Sequence, residues 1–360
     1  MAGLDKVIVA DTMLSSIDGE KGRLIIRGKR IEELANACRF EEAVYFLLSG
    51  CFPTDEEKKW INQQLILEMN LDKEFQDFLF TIPLHLDAIS YLMSAFSALD
   101  RKRFSWPATI EQAFYLMGKI PAILEIRQRR LDHRPLVLSD EQLSYAGNYL
   151  YKVLGEKPNE DAVQAIDCYF KLTMEHGLNA SSFTSRVITS TESDLVSAVV
   201  GAMAALKGPL HGGAPSEVIK MFEEIGTVEN IVPWLTKQLN ENKKIMGFGH
   251  RVYRTRDPRA NVLKEIAKKL ASENDWLNLA LEMEEEAEDL LQKYKPHRPL
   301  KTNVEFYAAA VFKAIGLPED MYTATFATSR LAGWTAHAIE QASNNRIIRP
   351  SSRYIGPKAD

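Results

Sequence analysis

Three histidines stand in local settings that suit chemistry. His176 lies in Met174-Glu175-His176-Gly177, His211 in Gly208-Pro209-Leu210-His211-Gly212-Gly213-Ala214, and His250 in Gly247-Phe248-Gly249-His250-Arg251. A neighbouring glycine lets the backbone turn sharply or approach a ligand closely. A histidine in such a turn can exchange a proton near neutral pH, although each setting also suits a hydrogen-bonded structural residue. A zinc site built from the three is chemically possible but lacks the tight spacing of such sites. His85, His133, His297 and His337 have no comparable setting and read as structural or surface residues. Gly247-Phe248-Gly249 is not a dinucleotide loop, because the third glycine is missing and no strand-turn-helix unit surrounds it.

Cationic and acidic groups follow. Arg251 to Arg259 reads Arg-Val-Tyr-Arg-Thr-Arg-Asp-Pro-Arg, four arginines within nine residues. Such a run is often a solvated face, but here it follows a glycine-rich turn and a histidine. Arginine binds carboxylates through a planar fork, so an anion site is implied. Further arginines, Arg330, Arg346, Arg349 and Arg353, lie toward the C-terminus. Lys301-Thr302-Asn303-Val304-Glu305-Phe306-Tyr307 opens an apolar helix. A carboxylate there commonly complements the helix dipole, and a catalytic base is the other reading. The run Glu282-Met283-Glu284-Glu285-Glu286 reads as the solvated side of a helix rather than a metal site.

The elements that must hold these groups are mostly helices. The opening segment has strand character at Val7-Ile8-Val9 and Leu24-Ile25-Ile26, with a turn-like Ile17 to Gly22 between them. After Lys29 the apolar spacing becomes helical: Ile31, Leu34 and Ala35, then Phe40 to Leu48 with a stop at Gly50. Thr54 is placed to cap the next helix. Pro83, Pro107 and Pro158 bound others, and Asp161 to His176 is amphipathic. Ser193 to Leu206 is small and apolar, suited to close packing in a core or at a subunit contact. Ala260 to Tyr294 alternates apolar anchors with a charged face. The expected fold class is all-α with a small N-terminal β element.

Composition narrows the function. The 360 residues are 46% hydrophobic and 26% charged, with a formal net charge of -5. A general nucleic-acid binder would show a basic balance. No stretch has the length and apolarity of a membrane span, and residues 1–14 lack a signal-peptide pattern, so a cytoplasmic location is expected. Cys38, Cys51 and Cys168 are too few and too far apart for a disulfide framework, and are expected to be buried, reduced thiols.

Taken together, the segments around His211, His250 and Glu305 resemble the citrate synthase family. Gly247-Phe248-Gly249-His250-Arg251-Val252, continuing to Asp257-Pro258-Arg259, fits the family signature along its length. Gly208 to Ala214 resembles the segment with one catalytic histidine, and Asn303 to Tyr307 the segment with the catalytic carboxylate. Glu175-His176 to Ser181 adds a fourth match in family order. Asp18-Gly19-Glu20-Lys21-Gly22-Arg23-Leu24 is typical of compact bacterial and archaeal members. The resemblance covers essentially the whole chain.

The resemblance implies a homodimer of two-domain helical subunits that condense acetyl-CoA with oxaloacetate and water to give citrate and CoA. The small domain would span about 211–320, and the large one 1–210 with 321–360. His176, Arg259 and Arg330 match positions that hold oxaloacetate, with His211 and His250 beside it. Arg349 matches an arginine that reaches into the neighbouring subunit's site. His250 would polarise the ketone, His211 would hydrogen-bond the thioester oxygen, and Glu305 would be the base. Gly247, Gly249, Arg254, Arg256 and Lys301 are the candidates to meet CoA. Neither a metal nor a further cofactor is called for. Most of the family carries Asp where this chain has Glu305. The extra methylene moves the carboxylate by about one bond, and a misplacement of about 1 Å can cost on the order of a hundredfold in rate unless the helix has shifted. The rival readings are 2-methylcitrate synthase, which takes propionyl-CoA, and a catalytically weak regulatory homologue.

Overall fold

The computed structural model describes Leu4 and residues 7–212, 214–271, 274–297 and 300–357. Gly213, the last glycine of the motif around His211, lies outside them. Near the N-terminus, β1 (Ser15–Asp18), β2 (Arg23–Ile26) and β3 (Lys29–Arg30) form an antiparallel sheet in that order, with Ser15 opposite Ile26 and Ile25 opposite Arg30. The Asp18 carboxylate accepts from the Lys21 amide (3.0 Å) to close the first turn, and Gly22 takes a positive φ there. Leu24 and Ile26 are fully buried. Val7-Ile8-Val9 is not a strand: it is exposed and pairs with no sheet. Strand propensity without a partner edge or a core face to cover does not make a strand.

The rest is helical, as the spacing predicts. The helices are α1 (Ile31–Ala37), α2 (Phe40–Ser49), α3 (Asp55–Glu68), α4 (Lys73–Thr81), α5 (Ala88–Ser97), α6 (Ile110–Asp132), α7 (Tyr145–Leu154) and α8 (Glu160–Thr173). They continue with α9 (Ala180–Thr189), α10 (Leu195–Leu206), α11 (Ala214–Ile225), α12 (Ile231–Asn240), α13 (Pro258–Leu270), α14 (Asp275–Tyr294), α15 (Val304–Ala314) and α16 (Tyr322–Ser343). Thr54 caps α3 in a reciprocal box with Glu57, and Gly50 ends α2 at a positive φ. Both satisfy helix-end groups that would otherwise lack partners.

Two helices are buried on nearly every side and act as spines. In α6, residues from Gln112 to Arg129 apart from Tyr115 are buried, and in α16 those from Tyr322 to Ala338 apart from Thr323. A helix buried on nearly every face lies inside a core, and the charges α6 carries there are paired, Lys119 with Glu68 and Glu125 with Lys152 at 2.8 Å each. Pro121 lies within α6 and has no N–H to give the Met117 carbonyl; the Tyr145 hydroxyl of α7 donates to that carbonyl instead, at 2.9 Å. The small residues of α10 let it lie against α9, where a Cβ on Gly201 would meet Ile188 at 2.1 Å.

Helices α11–α15 pack chiefly on one another, while α13 also meets α1 and α8 across a seam. The Ala260–Tyr294 stretch falls in two helices, the second started by Asn274, which accepts from the Trp276 amide at 3.1 Å. In the acidic run, Glu282, Glu285 and Glu286 are exposed, but Glu284 is buried. It accepts from the Tyr307 hydroxyl at 2.7 Å and pairs with Lys264 at 2.5 Å, so the run is only partly a solvated face. All three cysteines are free, and Cys168 alone is buried; Cys38 is half-buried and Cys51 exposed.

Candidate active site

The glycine-rich turn around His250 is laid along the segment that starts α15. The Gly249 amide donates to the Lys301 carbonyl (2.7 Å), and the Asn303 amide to the Gly247 carbonyl (2.9 Å). Asn303 also gives its side-chain amide to the Gly249 carbonyl (2.9 Å) while its oxygen caps α15 at the Glu305 amide (3.1 Å). Gly247 and Gly249 have φ of 81° and 85°; a Cβ would meet Phe306 at 2.7 Å and Leu300 at 2.8 Å respectively. The glycines are therefore needed to bring the His250 turn and the Glu305 helix together.

The turn fixes the tautomer of His250. Its Nδ1 accepts from the amides of Val252 (3.0 Å) and Tyr253 (3.2 Å), which leaves the hydrogen of the neutral ring on Nε2. Burial, and then the charge of Arg259, push its pKa down to about 4 against the opposing pull of Asp257, so the ring is neutral at pH 7. Arg259 Nη2 lies 3.4 Å from that nitrogen. Both are donors, so neither satisfies the other and both remain available to one acceptor. Asp257 fixes Arg259 through two bonds (3.0 Å to Nε, 2.8 Å to Nη2) and also accepts from the Val304 amide at 3.3 Å. One buried carboxylate thus joins the starts of α13 and α15. Burial opposes the Arg259 charge, but Asp257 more than offsets it, and the guanidinium is held ionised.

His176 lies across the seam, its ring 5.5 Å from that of His250 and its Nε2 3.0 Å from the Tyr253 hydroxyl. Burial and the charges of Arg259 and Arg330 hold it neutral. Its neighbour Glu175 is fully buried and accepts from the Ser15 hydroxyl (2.8 Å) and from His337 Nε2 (3.3 Å). Burial works against the Glu175 charge, yet His337, Arg330 and Ser15 hold its pKa below the usual value. His337 Nδ1 in turn faces Arg186 Nη1 at 2.9 Å. A Cβ on Gly333 would come within 2.4 Å of the Met174 carbonyl, so glycine is required where α16 passes this segment.

His211 is reached from α9. Its Nε2 lies 2.8 Å from Ser181 Oγ, which also contacts Asn179 Oδ1 (2.8 Å) and accepts from the Trp334 indole (2.9 Å). The single hydroxyl proton has two acceptors. When it points to His211, the ring hydrogen resides on Nδ1, the free nitrogen. Burial and Arg330 lower the His211 pKa to about 4.

Arg330 and Glu305 complete the site. Arg330 of α16 is buried, and its Nε and Nη1 have no partner. Burial lowers its pKa to about 10, with Arg259 adding to the effect and Glu175 opposing it. Glu305 Oε2 is likewise buried without a partner. Burial raises the Glu305 pKa to about 7; Arg259 and Arg330 pull it down while Asp257 pushes it up. The structure therefore brings His176, His250, Arg259, Arg330 and Glu305 into one electrostatic neighbourhood, with His211 coupled to it through Arg330.

The other predicted residues lie elsewhere. Arg256 and Lys301 both pair with Glu288 (2.7 and 2.8 Å), while Arg254 is exposed and, among the described residues, bonds through its backbone alone, to the Gly19 carbonyl at 2.9 Å. Arg349 is exposed on an extended C-terminal segment, which the Ile348 amide anchors to Ser190 Oγ at 3.0 Å. Asp257, Tyr253, Ser181 and the Glu175–His337–Arg186 chain escaped sequence reasoning. For Asp257 alone a local signal existed, an aspartate before Pro at a helix start.

Residues 3–351 match the family model described as citrate synthase, C-terminal domain. The chain is 37% identical to a citrate synthase of Saccharolobus solfataricus, over 99% of this chain and 96% of that one. It is 36% identical to a citrate/2-methylcitrate synthase of Bacillus subtilis, with the same coverage. It superposes with a TM-score of 0.89 on a citrate synthase of Thermoplasma acidophilum solved with carboxymethyl coenzyme A and oxaloacetate, at 33% identity, covering 99% of this chain and 96% of that chain. With the site geometry and the whole-length match in agreement, the chain belongs to the citrate synthase family.

Proposed function

We propose that the protein condenses acetyl-CoA with oxaloacetate and hydrolyses the product thioester, releasing citrate and CoA. The observation that carries this reading is the buried Arg330 guanidinium with two unpartnered nitrogens, beside a carboxylate raised to about 7. A dicarboxylate fits the former, and a base suited to neutral pH the latter.

In this reading oxaloacetate lies against His176, Arg259 and Arg330, its ketone oxygen where His250 Nε2 and Arg259 Nη2 converge. Glu305 removes a proton from the thioester methyl group. The developing enolate oxygen takes a hydrogen bond from His211 Nδ1, with Ser181 giving its proton to Nε2. The enolate carbon attacks the ketone, and His250 donates to the alkoxide as it forms. Water then cleaves the citryl thioester. The two units are residues 1–210 with 321–360, and 211–320. The first supplies His176 and Arg330, and the second His211, His250, Arg259 and Glu305, so closing the seam assembles the site and excludes water. CoA runs past Gly247 and Gly249 toward Arg254, with Arg256 and Lys301 available once Glu288 shares them. Arg349 is supplied to the neighbouring site in a homodimer.

Propionyl-CoA is the second candidate substrate, favoured by the Bacillus subtilis relative with dual activity in its name. One methylene is worth only about 1–3 kcal/mol of discrimination. The test is CoA thiol release with acetyl-CoA and propionyl-CoA, each with and without oxaloacetate. Oxaloacetate-dependent release is expected, faster with acetyl-CoA. Release from neither by a folded protein overturns the reading in favour of a regulatory homologue.

A further inference from the structure

The hairpin of β1 and β2 takes no part in the chemistry, yet it touches both sides of the seam. Ser15, at the start of β1, brackets His176. Its hydroxyl donates to Glu175 Oε1 at 2.8 Å and accepts from the Gly177 amide at 3.2 Å. Gly19, in the turn that follows β1, brackets Tyr253 in the same way. Its carbonyl accepts from the Arg254 amide at 2.9 Å, and a Cβ on it would collide with the Val252 carbonyl oxygen. Gly19 does not take a positive φ, so it is the neighbouring loop and not the turn that demands glycine there. The Val252 carbonyl and the Tyr253 amide belong to one planar peptide unit. That amide is one of the two donors on His250 Nδ1 (3.2 Å), and the Tyr253 hydroxyl lies 3.0 Å from His176 Nε2. A displaced Val252 carbonyl would therefore turn the Tyr253 amide away from His250.

We propose that Gly19 is a positioning residue for His250. The hairpin turn, carried on the unit that holds His176, sets the Val252–Tyr253 peptide and so keeps the imidazole hydrogen on Nε2, the nitrogen that faces oxaloacetate. Ser15 ties the same strand to His176, so one strand and its turn hold the two histidines in register across the closed seam. The inference rests on His250 meeting oxaloacetate, but the tautomer can be read in the ligand-free protein.

The test reads the His250 ring by nitrogen NMR of ligand-free protein labelled at its histidine nitrogens, assigned against His250→Gln. The wild type should carry the ring hydrogen on Nε2. In Gly19→Ala the ring should become a mixture of both tautomers. The dissociation constant for oxaloacetate, from calorimetry, should rise by about tenfold, because a smaller fraction of molecules is competent to bind. Glu20→Ala, an exposed change in the same turn, should leave both readings unchanged. Gly19→Ala with the wild-type tautomer and affinity, or with a lower Tm as its sole effect, overturns the proposal, as does a wild-type ring protonated on Nδ1. If Gly19→Ala folds poorly, hydrogen exchange of the wild type decides. The Arg254 amide, on an exposed residue, should exchange at least about tenfold more slowly than an open amide, and an unprotected Arg254 amide overturns the proposal. Absence of both oxaloacetate binding and oxaloacetate-dependent CoA release in the wild type would instead overturn the activity reading, and the tautomer would still decide the role of Gly19.

Discussion

A guanidinium buried with two bare nitrogens destabilises the empty protein, and on the proposed reading a dicarboxylate completes it. Replacing Arg330 by Met should therefore raise the stability of the ligand-free protein by on the order of 1–2 kcal/mol, seen as a higher Tm. The same change should weaken oxaloacetate binding by on the order of a hundredfold. A variant that loses both stability and binding would show that Arg330 is a structural residue. Glu305 makes a second prediction. Burial raises its carboxyl pKa to about 7, so on the proposed reading the base gains its charge near neutral pH. In kcat/KM for oxaloacetate, which reports the ligand-free protein, activity should climb with pH through about 7 and level off above it, because only the ionised form accepts a proton. Glu305→Asp should lower turnover, since Oε2 is withdrawn from its pocket by about one bond; a pH-rate profile of both proteins checks this. At this scale the sequence was informative where chemistry and backbone constraint coincide. His250, directly after Gly247-Phe248-Gly249, was visible because both glycines stand at positive φ against neighbouring side chains. Arg330 and Arg349 carried no local signal and emerged only by resemblance. Asp257 acts on Val304, and His337 on Glu175, across dozens of residues or more. No spacing rule reaches that far.

Helix periodicity located most elements, and it misled where a segment's surroundings decide. Val7-Ile8-Val9 has the residues of a strand but no partner, and within Ala260 to Tyr294 the break capped by Asn274 was not marked by the apolar spacing. Pro121 is the opposite case, a helix breaker inside a helix. The donor it lacks is replaced by the Tyr145 hydroxyl, so α6 remains intact while being tied to α7. Tyr145→Phe should leave the Met117 carbonyl buried and bare, at a cost of about 1–2 kcal/mol. Pro121→Ala, which restores the backbone donor, should stabilise the Tyr145→Phe protein more than the wild type. Urea denaturation of the four proteins measures the coupling, and strictly additive effects would contradict this assignment.

On the scale of the molecule, the candidate site is divided between two groups of helices, and on the proposed reading between two subunits as well. A mixture of Arg349→Ala and Glu305→Gln proteins, dissociated and reassembled, should regain activity that neither parent has. Each mixed dimer would contain one site free of both changes. No gain would place Arg349 outside the neighbouring site. A further consequence follows from how the N-terminal segment is held. The Met13 amide donates to Glu340 of α16 (2.8 Å) and the Ser15 hydroxyl to Glu175, so this stretch of chain is held in part by a residue 327 positions later. At about 5–20 residues per second of synthesis, Met13 waits roughly 15–65 s on the ribosome before Glu340 exists. During that wait α16, the spine that most of the core packs around, has not been made, and the helices meant to enclose it present apolar faces to the cell. Yield in a living host should then depend on the helpers that shield growing chains, more than the stability of the finished protein would suggest.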